Sequence, residues 1–147
     1  MKTIFDNTTR QELINRINTL NEKSVAQWGT MNVYQAIKHC TLWDEMMLSE
    51  KPQKQVFIGK LFGKMALKSI MKDEAPLRKS TPTSPVLIVK ETGDVNAAKA
   101  EWISSLDRYA HFSKPEIMHV FFGKMTKEQI GYLAYKHMDH HLRQFNS

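Results

Sequence analysis

Four segments of this 147-residue chain repeat apolar residues at three- and four-residue intervals, and each opens on a residue able to cap a helix. Thr9-Arg10-Gln11-Glu12 reads as a capping box, predicting a helix over 9–22 with Leu13, Ile14, Ile17 and Leu20 on one side. Asn32 and Gln35 form a second box. The helix they open runs to about Glu50, with Val33, Ala36, Ile37, Cys40, Trp43 and Met47 on its apolar face and Pro52 limiting its extension. Asp94 caps a third helix over 94–112, ended by Lys114-Pro115. Thr126 and Gln129 open the last, over 127–145, with Met125 and Ile130 placed as a hydrophobic staple.

The connections are unequal. Residues 51–91 separate the second helix from the third and hold a helical stretch over 56–72, then Pro76, Pro82 and Pro85. Val86-Leu87-Ile88-Val89 has strand-like composition, but no partner strand is evident, so it is expected to be an extended packing segment. These patterns predict one all-α domain over 1–147, a four-helix bundle with a long crossover between helices 2 and 3. A chain of this length buries roughly 68–70% of its unfolded surface, enough for one core.

Composition narrows the function classes. No apolar run approaches the ~20 residues of a membrane span, and Met1–Asp6 leads into polar sequence, so a cytoplasmic protein is expected. The single cysteine, Cys40, excludes an internal disulfide and any Cys-x-x-Cys zinc site. The net charge of +6 is concentrated in residues 51–90, where nine Lys/Arg face Asp73 and Glu74 alone. A uniformly basic nucleic-acid binder is thereby disfavoured. Within this segment Lys60, Lys64, Lys68 and Lys72 recur every fourth residue beside Ile58, Leu61, Phe62, Met65 and Ile70, which describes a basic amphipathic helix. Gly59-Lys60-Leu61-Phe62-Gly63-Lys64-Met65 is not a phosphate loop, because it has three residues between the glycines and Met after the lysine.

The chemistry-bearing feature lies on the last helix. At 100° per residue, Ile130, Leu133, Ala134, His137, His141 and Phe145 share one stripe, with Gln144 on the same side. His137 and His141 are one turn apart and can present two nitrogens to one metal ion. His39, mid-helix beside the apolar face of helix 2, is a candidate third ligand; His111 and His119 compete with it, and His140 flanks the stripe. Three neutral imidazoles would leave a coordination position open. Asp139 projects nearly opposite His137. Asp44, near the core face of helix 2, suits either a ligand-orienting or basic role or a buried salt bridge. Cys40 lies among apolar neighbours and reads as a small hydrophobe.

Trp28-Gly29-Thr30-Met31, His39, Phe121-Phe122-Gly123-Lys124-Met125-Thr126 and His137-Met138-Asp139-His140-His141-Leu142-Arg143-Gln144-Phe145 together resemble the DinB/YfiT-like metalloenzyme superfamily, in a branch of unassigned function, over nearly the whole chain. The resemblance implies a bundle that binds divalent nickel or zinc through His39, His137 and His141. It also implies, for some members, thiol-dependent transferase or isomerase activity with bacillithiol- or mycothiol-like thiols. His141-Leu142-Arg143-Gln144 lacks the glycine of the family's frequent His-Arg-Gly-Gln ending.

The expected function is therefore that of a metal-dependent enzyme in which an external thiol attacks a small electrophile. Two alternatives differ in class. One is a non-catalytic, stress-associated or binding module stabilised by its metal; the other is a binder of anionic surfaces through residues 51–90. Homodimerisation through exposed bundle faces is compatible with the pattern, which marks no interface.

Overall fold

The computed structural model describes residues 1–51 and 53–147. Five α-helices form in chain order: α1 (Asn7–Thr19), α2 (Val33–Leu48), α3 (Phe57–Ile70), α4 (Val95–Tyr109) and α5 (Lys127–Gln144). A two-stranded antiparallel sheet, β1 (Glu116–His119) and β2 (Gly123–Thr126), precedes α5. The expected all-α four-helix bundle is thus overturned: the chain has a fifth helix and a β-hairpin. Helices α1, α2, α4 and α5 pack on one another, while α3 packs on the hairpin. Pro52, read as the stop of the second helix, lies outside the described residues.

Local capping sets most boundaries. The reciprocal capping boxes of Asn32 with Gln35 and Thr126 with Gln129 both form, and Asp94 accepts from the backbone N–H of Asn96 and Ala97. Met125 and Ile130 are both fully buried at the start of α5. Helix α1 departs from expectation. It starts at Asn7, before Thr9, and its N-cap residue Asp6 makes no side-chain capping bond. The buried Arg10 guanidinium secures this end instead, donating to the carbonyls of Ile4 and Phe5 and to Asn7 Oδ1.

The hairpin has no clear signature in the sequence because each strand has only four residues. Its register pairs Glu116 with Thr126 and His119 with Gly123, leaving a three-residue loop closed by Gly123 at φ 77°. A left-handed glycine after such a loop is a recurrent hairpin device. The segment read as extended around 86–89 instead contains a 3-10 turn, Pro85–Leu87, that drives Leu87 into the core. Pro85 at the first position favours that turn.

The core holds Leu13, Ile17, Ile37, Met47, Trp102, Leu106, Met138 and Leu142 at its centre. One polar network runs through it. Asp44 of α2 is fully buried, accepts from Tyr109 Oη at 2.9 Å and lies 2.8 Å from Ser105 Oγ, both on α4. Ser105 Oγ also lies 2.7 Å from the Trp102 carbonyl. One hydroxyl proton cannot serve both acceptors, whereas a protonated Asp44 can donate to Ser105 while Ser105 donates to Trp102. Burial raises the Asp44 carboxyl to about 7, against the pull of Ser105 and Tyr109. Asp44 therefore ties α2 to α4. It forms no salt bridge among the described residues and makes no hydrogen bond to the three histidines, so it neither pairs with a buried cation nor orients a ligand ring.

A second network closes the outside. Asp139 of α5 accepts from Arg16 of α1 and from Arg143 one turn on, at 2.8 and 2.7 Å. Arg16 also donates to the Ser147 carbonyl, so the last residues are held against α1.

The Asp44 arrangement has a pH signature. Its folded pKa lies above the ordinary value, so between about pH 4 and 7 the unfolded chain has lost a proton the folded protein keeps, and stability falls as pH rises. The variant Asp44→Asn, which reproduces the neutral donor–acceptor pattern, is expected to gain about 4 kcal/mol on wild type between pH 4 and pH 8. Urea denaturation of both proteins across that range measures the difference; parallel stability curves would refute a neutral Asp44.

Candidate metal centre

Helix α5 presents His137 and His141 one turn apart, and α2 presents His39 opposite them. One nitrogen from each of the three lies within 4.8 Å of the others. His39 and His141 are buried and His137 is half-buried. The structure thus brings together the three residues implied by the resemblance and leaves the competing histidines elsewhere.

The ring orientations follow from hydrogen bonds on the far nitrogens. His39 Nδ1 lies 2.9 Å from the Leu87 carbonyl, an acceptor only, so Nδ1 carries the proton and Nε2 keeps its lone pair. Gln144 Nε2 donates to the Trp28 carbonyl at 2.7 Å, which turns Oε1 of the same amide toward His141 Nδ1 at 2.9 Å. His141 must then also carry its proton on Nδ1 and free Nε2. The His137 ring is stacked on Trp43, with centroids 4.4 Å apart and planes at 20°. Its Nε2 stands 3.2 Å from His39 Nε2, and its Nδ1 is buried without a partner.

This donor set fits a small divalent cation. Nitrogens bound to one tetrahedral zinc stand about 3.3 Å apart, close to the His39–His137 separation. Burial also holds the imidazoles in the ligating form. It pushes His141 down to about 3 and lowers His39 and, much further, His137, where His141 and His39 add to the effect. All three are neutral at pH 7, and the three histidines can hold a metal ion.

Gly29 is required by this arrangement. Its φ is 79°, and a Cβ there would stand 2.9 Å from Gln144 Nε2, so the Trp28-Gly29 turn and the Gln144 amide fit only without a side chain between them.

The remaining candidates have other places. His119 is buried in β1, where its Nδ1 accepts from the N–H groups of Phe121 and Phe122 at 3.1 Å each; it closes the hairpin loop, and burial lowers it to about 4. His111 is exposed just beyond α4. His140 is not one of the three converging ligands; its ring lies edge-on to that of His141 at 5.1 Å and 5.5 Å from the Trp28 ring, beside a surface cavity of about 340 Å³ also lined by Leu77, Lys79 and Arg143. Lys79 lies over the Trp28 ring at 4.3 Å. Cys40 is fully buried, and burial, then Asp44, raises its thiol well above the usual range. Sequence reasoning does not find Leu87, whose carbonyl is useful only through the 3-10 turn, or Trp43 as the surface that sets the His137 ring.

Gln144→Leu is expected to leave the fold intact and weaken zinc binding about 10–100-fold, because His141 loses the group that fixes its tautomer. Zinc titration against a competing chromophoric chelator, with circular dichroism as the fold control, checks this; unchanged affinity would remove Gln144 from the site.

No curated protein and no solved structure matches the chain. One family does match, over residues 3–147, and the chain accordingly belongs to DUF1569, a family described as a protein of unknown function.

Proposed function

We propose that the protein is a metal-dependent enzyme whose divalent cation, nickel or zinc, is held by His39, His137 and His141, and that it joins a low-molecular-weight thiol to a small electrophile or isomerises such a substrate. The observation that carries this reading is the convergence of three neutral imidazoles from α2 and α5, two with their second nitrogens bound to acceptors. A structural metal would ordinarily be closed by a fourth protein ligand, whereas three histidines suit a site with room for a ligand from solution. A cation bound there would supply Lewis acidity, favouring loss of a proton from an entering thiol near neutral pH.

The chain's own residues have defined tasks in this scheme. Leu87 and Gln144 hold two imidazoles in the tautomer that frees Nε2, and Trp43 fixes the plane of the third. Cys40, buried and with its thiol pKa raised, cannot serve as the nucleophile, so the thiol must come from outside the protein. The resemblance to the DinB/YfiT-like superfamily supports the choice of thiol chemistry and of nickel or zinc.

Untagged protein purified without chelator is expected to carry about one nickel or zinc per chain by mass spectrometry, and His137→Ala/His141→Ala is expected to carry none while retaining its helical circular dichroism. Equal metal in both proteins, or none in either after incubation with nickel, zinc and manganese, overturns the metal site. Metal-loaded protein should then consume members of an electrophile panel only when bacillithiol, mycothiol or glutathione is supplied. Full occupancy with no thiol-dependent turnover overturns the enzymatic reading and leaves the metal site standing.

A further inference from the structure

Helix α3 is attached to the protein largely through its two glycines. Its buried residues are Gly59, Gly63 and Leu67, and a Cβ on either glycine would come within 2.4 or 2.1 Å of the Phe121 carbonyl oxygen. Its backbone therefore rests directly on the hairpin loop. The helix is also pinned at both ends. Val56 N–H donates to the Val120 carbonyl and Gln55 Nε2 to the Phe121 carbonyl; at the other end, Lys136 Nζ of α5 donates to the carbonyls of Ile70 and Asp73.

This attachment turns the apolar side chains outward. Phe57 is 76% exposed, Met65 66% and Leu61 60%, and Ile58 and Phe62 are exposed beside them. Six of the eleven exposed large apolar side chains among the described residues fall between Val56 and Met65. At 100° per residue, Phe57, Leu61, Met65, Ile58 and Phe62 cover an outward arc of about 140°. Lys60 and Lys64 stand on one flank of that arc, Lys68 falls just inside the same edge and Lys72 follows beyond the end of the helix, and none is in an ion pair among the described residues. No acidic residue lies between Glu50 and Asp73.

We propose that the outward face of α3 docks the protein on an anionic lipid bilayer, with Phe57, Leu61 and Met65 inserted at the headgroup boundary and the lysine row on acidic headgroups. The chemistry of the face selects this occupant. A single convex helix needs a yielding apolar layer more than a shaped groove, and a row of unpaired lysines needs a dense negative surface. A second copy of the same face would add a further set of lysines and no acidic partner for them. No helix of the described residues is long and apolar enough to cross a membrane, so the attachment is peripheral. None of these observations involves the histidine site.

The test is sedimentation of the metal-loaded full chain with vesicles of phosphatidylcholine containing 30% phosphatidylglycerol, and with vesicles of phosphatidylcholine alone. Strong binding to the first and at least tenfold weaker binding to the second is expected. Lys60→Ala/Lys64→Ala should weaken binding about tenfold or more, given roughly fivefold per lysine. Leu61→Ser/Met65→Ser should weaken it comparably, although both variants keep the wild-type circular dichroism and metal content, because the altered side chains point to solvent. No binding to anionic vesicles, binding unaffected by either variant, or a concentration-dependent dimer abolished by Leu61→Ser/Met65→Ser without vesicle binding would each overturn the proposal.

Discussion

An imidazole buried at a helix seam has two nitrogens to account for, and the candidate centre is organised around that requirement. His39 and His141 each place the proton-bearing nitrogen against an oxygen, the Leu87 carbonyl from a distant turn and the amide of Gln144 three residues on. Once those bonds form, the remaining nitrogens must turn inward as lone pairs. Burial then keeps the rings neutral, because an imidazolium there would lose its hydration. His137 is the exception that completes the set. Stacking on Trp43 holds its ring, and its Nδ1 is left without a partner.

Much of the rest of the chain serves these orientations. The Trp28-Gly29 turn lies against Gln144, the Pro85–Leu87 turn reaches His39, and the Asp44 network holds α2 against α4. Asp44 and the histidines are opposite cases of one physical effect. Removal from water favours the neutral form of each, which raises the carboxyl and lowers the imidazoles. The three imidazoles are therefore uncharged at neutral pH, and Asp44 keeps its proton well above the usual carboxyl range. The buried charged groups are instead each partnered, Asp139 by Arg16 and Arg143, and Arg10 and Lys136 by backbone carbonyls.

Features governed by neighbours along the chain are legible from the residues alone. The Asn32–Gln35 and Thr126–Gln129 boxes and the Asp94 cap can be recognised because each bond spans at most three residues. The same reasoning fails at Thr9, where the buried Arg10 secures the helix start through carbonyls upstream of it. The hairpin escapes it for another reason: four-residue strands carry too little alternation, although Gly123 after a three-residue loop is a readable signal. The spacing of Gly59 and Gly63 does not match that of a phosphate loop. Their actual role, close packing on Phe121, depends on a contact nearly sixty residues away.

By itself the sequence determined which residues had the chemistry and which shared a helix face. The four-residue spacing of His137 and His141 put them on one side of α5, and the four-residue spacing of the α3 lysines made a single row, because both follow from helical pitch. Tertiary structure decided what those faces meet. Only packing could bring His39 to 3.2 Å from His137, turn the His39 imidazole with a carbonyl from a distant turn, and mount α3 by its glycines so that its apolar side chains point outward. Periodicity specifies a direction around a helix axis, whereas a partner across the core is set by the joint packing of the whole chain.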